Sequence, residues 1–244
     1  MAVAKSVGSN NGLVKALPRR ARDRLLKLSE PFELVFGAVL CVAGQPYRHA
    51  YLSESGLISL VSTLSGHNPL EMAIIGQEGM LGASLVLGID AAPMRAVVQG
   101  PGTALRIPCA KLQTELRESP ALRKVVSRYL YLQLVELSLN GACTRFHRIE
   151  ERLARWLLLT HDRVQADHFY LTHEYLADML GVRRSGVTVA AGELQARRLI
   201  RYSRGEITVL DRAGLEAASC ECYAAMKSRQ NRLLGAPSHR KRPS

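Results

Sequence analysis

The stretch from Leu171 to Ile200 holds two short helical periods hinged on Gly181, and it constrains the fold more than any other part of the chain. Thr172 is placed to cap a first helix, Glu174 adds negative charge to the positive first turn, and Leu176, Met179 and Leu180 supply one apolar face. Gly181 ends that helix, because a residue without Cβ enters the left-handed conformation cheaply. In the second period Val187, Ala190, Ala191 and Leu194 recur at spacings of three and four, so they pack inward. Arg184, Ser185, Thr188 and Val189 then turn outward near its N-terminal end, where a recognition helix meets base edges. The pattern is that of a helix-turn-helix, and double-stranded DNA is the expected partner.

Charge agrees. Lysine and arginine number 33 against 21 acidic residues, a formal charge of +12, which suits a polyanion. An anionic membrane surface is the competing attractor. The N-terminal region carries Lys5 and Lys15 but no apolar run of signal length, and the most hydrophobic later stretch is interrupted by Arg128, Gln133 and Glu136. A cytoplasmic protein without membrane contact is expected. The five cysteines, Cys41, Cys109, Cys143, Cys220 and Cys222, include no Cys-x-x-Cys pair and indicate neither a disulfide framework nor a zinc ribbon. Cys220 and Cys222 are the one close pair and read as two small residues on a terminal helix, so no metal site is expected.

The 244 residues suffice for two domains, and the texture of the chain divides them. Residues 1–20 read as a flexible basic lead-in. Over 21–118 a short helix carrying Leu25, Leu26 and Leu28 precedes brief apolar segments punctuated by glycines from Gly37 to Gly102, the pattern of a sandwich or jelly-roll-like barrel. After Ser119-Pro120 a long helical run occupies 119–145. Leu122, Val125, Tyr129, Leu132 and Leu139 form one apolar stripe on it, broken at Glu136, and Val126, Leu130, Leu134 and Leu137 form another. Two apolar faces need two surfaces: the roll of the same chain and the same helix of a second copy, with the first stripe taken as the homodimer seam. The span 146–223 holds a further helix, the helix-turn-helix and a hairpin turning at Arg204-Gly205, which reads as a wing. Residues 224–244, with Lys227, Arg229, Arg232, Arg240, Lys241 and Arg242 and no acid, read as a basic disordered tail. The fold class is therefore α+β.

This order of parts resembles the Crp/Fnr family of bacterial transcription regulators, from about Leu17 to Tyr223. The most specific stretch runs from Leu171-Thr172 through Gly181-Val182-Arg183-Arg184 and Val187-Thr188 to Leu210-Asp211; the run from Gly76 to Gly82 is concordant. The resemblance implies an N-terminal double-stranded β-helix of the cyclic-nucleotide-binding type, a long dimerisation helix and a C-terminal winged helix-turn-helix. It also implies a homodimer on a two-fold promoter site, with RNA polymerase as a partner there. In nucleotide-responsive members a glutamate follows the glycine matched to Gly82, and Ser or Thr follows the arginine matched to Arg95. Here those positions are Ala83 and Ala96, which removes the carboxylate that a ribose hydroxyl needs and argues against cyclic AMP. The N-terminal cysteine cluster of iron-sulfur members is absent, and no histidine spacing suggests haem, so no cofactor is expected.

By the same resemblance the base-reading positions fall on Arg184, Ser185 and Val189, with Thr188 beside them, while Thr172, Arg183, Arg197, Arg201 and Arg204 are placed for phosphate. No Walker loop, Gly-x-Ser-x-Gly elbow or His-Glu-x-x-His is present, so an enzyme is not expected. Two other readings stay open: a ligand-binding signalling module, and an architectural DNA-binding protein without sequence preference.

Overall fold

The computed structural model describes residues 8–164 and 166–234. Period-two alternation broken by glycine turns produces two antiparallel four-stranded sheets. In the first, β1 (Glu30–Leu34), β8 (Gly102–Pro108), β3 (His49–Ser53) and β6 (Met80–Leu81) are neighbours in that order. In the second the order is β2 (Val39–Cys41), β7 (Arg95–Gly100), β4 (Leu57–Ser62) and β5 (Leu70–Ile75). Pairings such as Tyr51 with Arg106 and Ser59 with Val97 set the register that turns Ala50, Leu52, Ile58, Ala96 and Val98 into a shared core. A slip by one residue would send those side chains to solvent.

Two expectations about the flanks of the roll need correction. The lead-in is not loose over its described part: α1 (Gly12–Lys15) is capped by the buried Asn11, whose amide also donates to the carbonyls of Ser53 and Gly79, both at 2.8 Å. Leu13, Val14 and Leu17 join the core, followed by α2 (Arg19–Leu28). After the last strand comes α3 (Cys109–Glu118), where Leu112, Glu115 and Leu116 face inward at helical spacing and Arg24 pairs with Glu115 at 2.8 Å. At the other end of the chain, 224–234 is not a disordered tail. It belongs to α9 (Glu221–Leu234), which packs along the long helix and buries Cys222, Tyr223 and Met226. Of its basic residues Arg232 is exposed and Arg229 half-buried, and Lys227 bonds Asp162 at 2.9 Å. Arg240, Lys241 and Arg242 lie outside the described residues.

The long helix, α4 (Pro120–Phe146), begins at the expected place, with Ser119 accepting a hydrogen bond from the amide of Leu122 at 3.3 Å. The stripe expected at the seam faces inward instead. Leu122, Val125, Tyr129 and Leu132 are buried within their own chain, and Leu139 packs on a cysteine cluster near the end of the helix. Tyr129 crosses the loop at Gly79 so closely that a Cβ there would sit 2.1 Å from its hydroxyl. Glu136, which breaks the stripe, is buried with it and lies 3.9 Å from Arg163. The large apolar side chains left outside are Tyr131 and Leu134, 55% and 60% exposed and flanked by the half-buried Leu130 and Leu137, and Phe146 at the very end of the helix.

Beyond α4 the chain forms α5 (Ile149–Val164), β9 (His168–Tyr170), α6 (His173–Leu180), α7 (Arg184–Ala196), β10 (Ile200–Ser203), β11 (Glu206–Val209) and α8 (Arg212–Ala218). A second apolar core gathers Leu153, Leu157, Leu176, Val187, Leu194, Ile207 and Leu215, and reaches Leu57 and Ile74 of the roll. Among the described residues no helix is long and apolar enough to cross a membrane.

Candidate nucleic-acid interface

Thr172 accepts from the amide of Tyr175 at 3.1 Å and so caps α6. Gly181 closes it with φ +63°, and a Cβ at that position would meet Leu70 Cδ1 at 2.8 Å. Both conformation and space demand glycine there. Gly181→Ala is expected to cost about 1–3 kcal/mol, read by urea denaturation; an unchanged midpoint would show that the α6–α7 turn and β5 yield freely.

On α7, Val187, Ala190, Ala191 and Leu194 are buried while Arg183, Arg184, Ser185, Thr188 and Val189 are exposed, so one helix carries a sealed inner face and an open outer one. Thr188 lies 3.0 Å from His173 Nδ1 and also donates to the carbonyl of Arg184 at 3.1 Å, which steadies the first turns. His173 in turn stacks on Tyr202 of the wing, ring centroids 4.4 Å apart. Burial and the nearby Arg184 charge hold His173 below its usual range and favour the neutral ring.

The wing pairs β10 with β11, and β11 with β9. Its two-residue turn has positive φ at both Arg204 and Gly205, the geometry of a type I′ hairpin. Arg201 and Arg204 are exposed on it. Arg197, grouped with them from sequence, is half exposed and pairs with Glu150 at 2.8 Å.

The residues matched to a nucleotide pocket do not converge. A cavity of about 440 Å³ between the roll and α4 is lined by Gly82 and Ala83 together with Tyr47, Leu60, Met94, Leu130 and Leu134, and its lining carries no charged side chain. Arg95 is not part of it. Strand alternation places Arg95 on the exposed side of β7 and buries Ala96 in the core, so neither reaches the cavity.

A buried polar cluster joins the roll to α5. Glu71 accepts from Trp156 Nε1 at 2.6 Å and from the Ser59 hydroxyl, and Arg163 pairs with Glu78 at 2.9 Å. Burial pushes Glu71 up to about 7, against the lowering influence of Ser59 and Trp156. The native state therefore holds this proton more tightly than the unfolded chain. Its stabilising contribution is complete below the ordinary glutamate range and is lost as pH rises to about 7, a span of about 3 kcal/mol at most. Glu71→Gln removes this dependence. The stability of the parent minus that of the variant should fall between about pH 5 and about pH 8, measured by urea denaturation; a constant difference would contradict the assignment.

Sequence reasoning missed one cluster. Cys143, His147, Cys220 and Cys222 meet at the α4–α5 hinge, with their ligand atoms within 4.8 Å of one another. The available signal was the spacing of four between Cys143 and His147, one helical turn.

The comparisons with known proteins agree with this arrangement. Residues 151–218 match the Crp-like helix-turn-helix domain model. The global nitrogen regulator of Synechococcus elongatus is 23% identical over 219 residues, covering 86% of this chain and 97% of that protein. Among solved structures, the c-di-GMP responsive global regulator CLP of Xanthomonas campestris superposes with a TM-score of 0.64 at 16% identity, covering 79% of this chain and 99% of its own. FixK2 of Bradyrhizobium japonicum does so with a TM-score of 0.65 at 13% identity, covering 79% and 98%. Residues 151–218 thus carry a Crp-like helix-turn-helix domain, and the chain shares the fold of these solved regulators along most of its length.

Proposed function

We propose that the protein acts as a homodimer on two-fold-related promoter DNA, each copy lodging α7 in the major groove and the two grooves lying one turn, about 34 Å, apart. The observation that carries this reading is the open outer face of α7, with Arg184, Ser185, Thr188 and Val189 exposed above a closed inner face. Arg184 reads a guanine edge, and Ser185, Thr188 and Val189 tune the neighbouring base pairs. Thr172, Arg183, Arg201 and Arg204 hold the phosphate backbone, with Arg197 a lesser contributor because Glu150 already occupies it. RNA polymerase meets the dimer at such a promoter.

Two copies join through the outer face of α4, where Tyr131 and Leu134 stand open. The same residues wall the cavity of the roll, so a ligand there touches the seam directly. An uncharged lining suits a largely apolar effector and not a cyclic nucleotide, whose phosphate needs a cationic or amide-rich partner. The test is a gel shift of the purified protein on the DNA upstream of its own gene. Specific retention over random duplex at matched salt is expected; equal retention would favour an architectural protein, and no retention a signalling module.

A further inference from the structure

Segments far apart in sequence build the cysteine cluster. Cys143 and His147 close α4, and Cys220 and Cys222 bracket Glu221, where α9 begins. The Cys143 and Cys220 sulfurs are 3.6 Å apart, and Cys222 Sγ is 3.7 Å from His147 Nδ1. A tetrahedral zinc ion with bonds of about 2.3 Å to sulfur and about 2.0 Å to nitrogen places its ligands about 3.8 Å apart for two sulfurs and about 3.5 Å apart for sulfur and nitrogen. The two edges already have the size that a single bound ion imposes. The sulfur pair is far beyond the roughly 2.05 Å of a disulfide.

Three further observations point to a metal. First, Cys143, Cys220 and Cys222 are buried, with Leu139 packed on them, which is the closed shell of a structural site. Second, His147 Nε2 lies 3.1 Å from a carboxylate oxygen of Glu221. That contact takes the ring proton to Nε2 and leaves Nδ1, the atom facing Cys222, with a free lone pair; a carboxylate behind a histidine is the usual support of a metal ligand. Third, Arg152 and Arg155 are buried on α5 beside the cluster, and among the described residues neither bonds a carboxylate. Arg152 donates to the carbonyl of Leu180; Arg155 donates to Asn140 and leaves its Nε without a partner. Buried cations require a compensating anion. A Zn²⁺ held by three thiolates and a neutral imidazole has a net charge of −1 and supplies it. The ligand atoms converge too tightly to enclose the several irons and sulfides of an iron-sulfur cluster.

We propose that Cys143, His147, Cys220 and Cys222 bind one Zn²⁺, displacing the three thiol protons, and that the ion clamps the start of α9 to the α4–α5 hinge. The site ties the helix at the seam to the part of the chain that carries α7, and it stands independently of any DNA-binding assay.

The test uses the full chain, purified in reductant without chelator, with metal content measured by mass spectrometry and with Co²⁺ exchanged into the unmutated protein. About one zinc per chain is expected, and the cobalt form should show the visible bands and near-ultraviolet charge transfer of tetrahedral thiolate ligation. Cys220→Ser with Cys222→Ser should lower the content to under about a tenth per chain, whereas Cys41→Ser, outside the cluster, should leave it at about one. Failure of the reduced, unmutated protein to take up either metal would overturn the proposal. So would an octahedral cobalt spectrum, or a Cys143–Cys220 disulfide found by peptide mapping in protein prepared without oxidant.

Discussion

Leu134→Arg is expected to leave the fold intact, turn the protein monomeric at micromolar concentration and reduce its affinity for a two-fold DNA site by about 100-fold or more. Leu134 is 60% exposed on the outer face of α4, so an arginine there costs the isolated chain little. At a two-fold seam the same substitution appears twice, and two guanidinium groups meet where two apolar side chains met. Once the seam opens, each reading head binds alone and the gain from tethering the second half-site, about 10²–10⁴, is lost. Sedimentation reads the first effect and titration against the duplex reads the second. The inner stripe behaves differently: Leu132 is buried, and Leu132→Arg should unfold the chain rather than divide a dimer. A Leu134→Arg protein that stays dimeric with unchanged affinity would place the seam elsewhere.

Arg184→Ala is expected to weaken binding to the specific site by about 10- to 100-fold per half-site while changing non-specific binding much less. The separation follows from what the residue touches. Two parallel hydrogen bonds to one guanine edge are worth about 1–3 kcal/mol of discrimination, whereas a phosphate contact is worth the same on every sequence. Arg184 opens α7 and is exposed, so its removal leaves no cavity behind. Equal losses on specific and random duplex would reassign Arg184 to the backbone. Arg201→Ala offers the contrast, with a nearly uniform loss and a shallower salt dependence.

The reading head was legible because its cap, turn and buried face are set by neighbours in sequence. Thr172, Gly181 and the spacing of Val187, Ala190 and Leu194 specify cap, turn and buried face within about six helical turns of sequence. The faces of α4 were not legible, since periodicity counts stripes but does not say which one the roll covers. That depended on contacts such as Tyr129 over Gly79 and Glu136 near Arg163, which join residues far apart in sequence. Arg95 failed as a pocket residue for a related reason: a match by alignment says nothing about which side of β7 faces the cavity, and alternation turns Arg95 away. The hinge cluster unites Cys143 with Cys220 across 77 positions, a separation beyond any spacing rule. The helical character of 224–234 was hidden by its basic residues, whose density masks the few apolar side chains, such as Met226, that the helix buries.

The central claim is that two copies read two halves of one site, and selection of bound sequences from a pool of random duplexes tests it most directly. The expected result is one enriched motif with two-fold symmetry, its half-sites about 10 base pairs apart centre to centre, lost from the pool when Leu134→Arg protein is used. Enrichment of a single unrepeated half-site, or no enrichment over the starting pool, would contradict it.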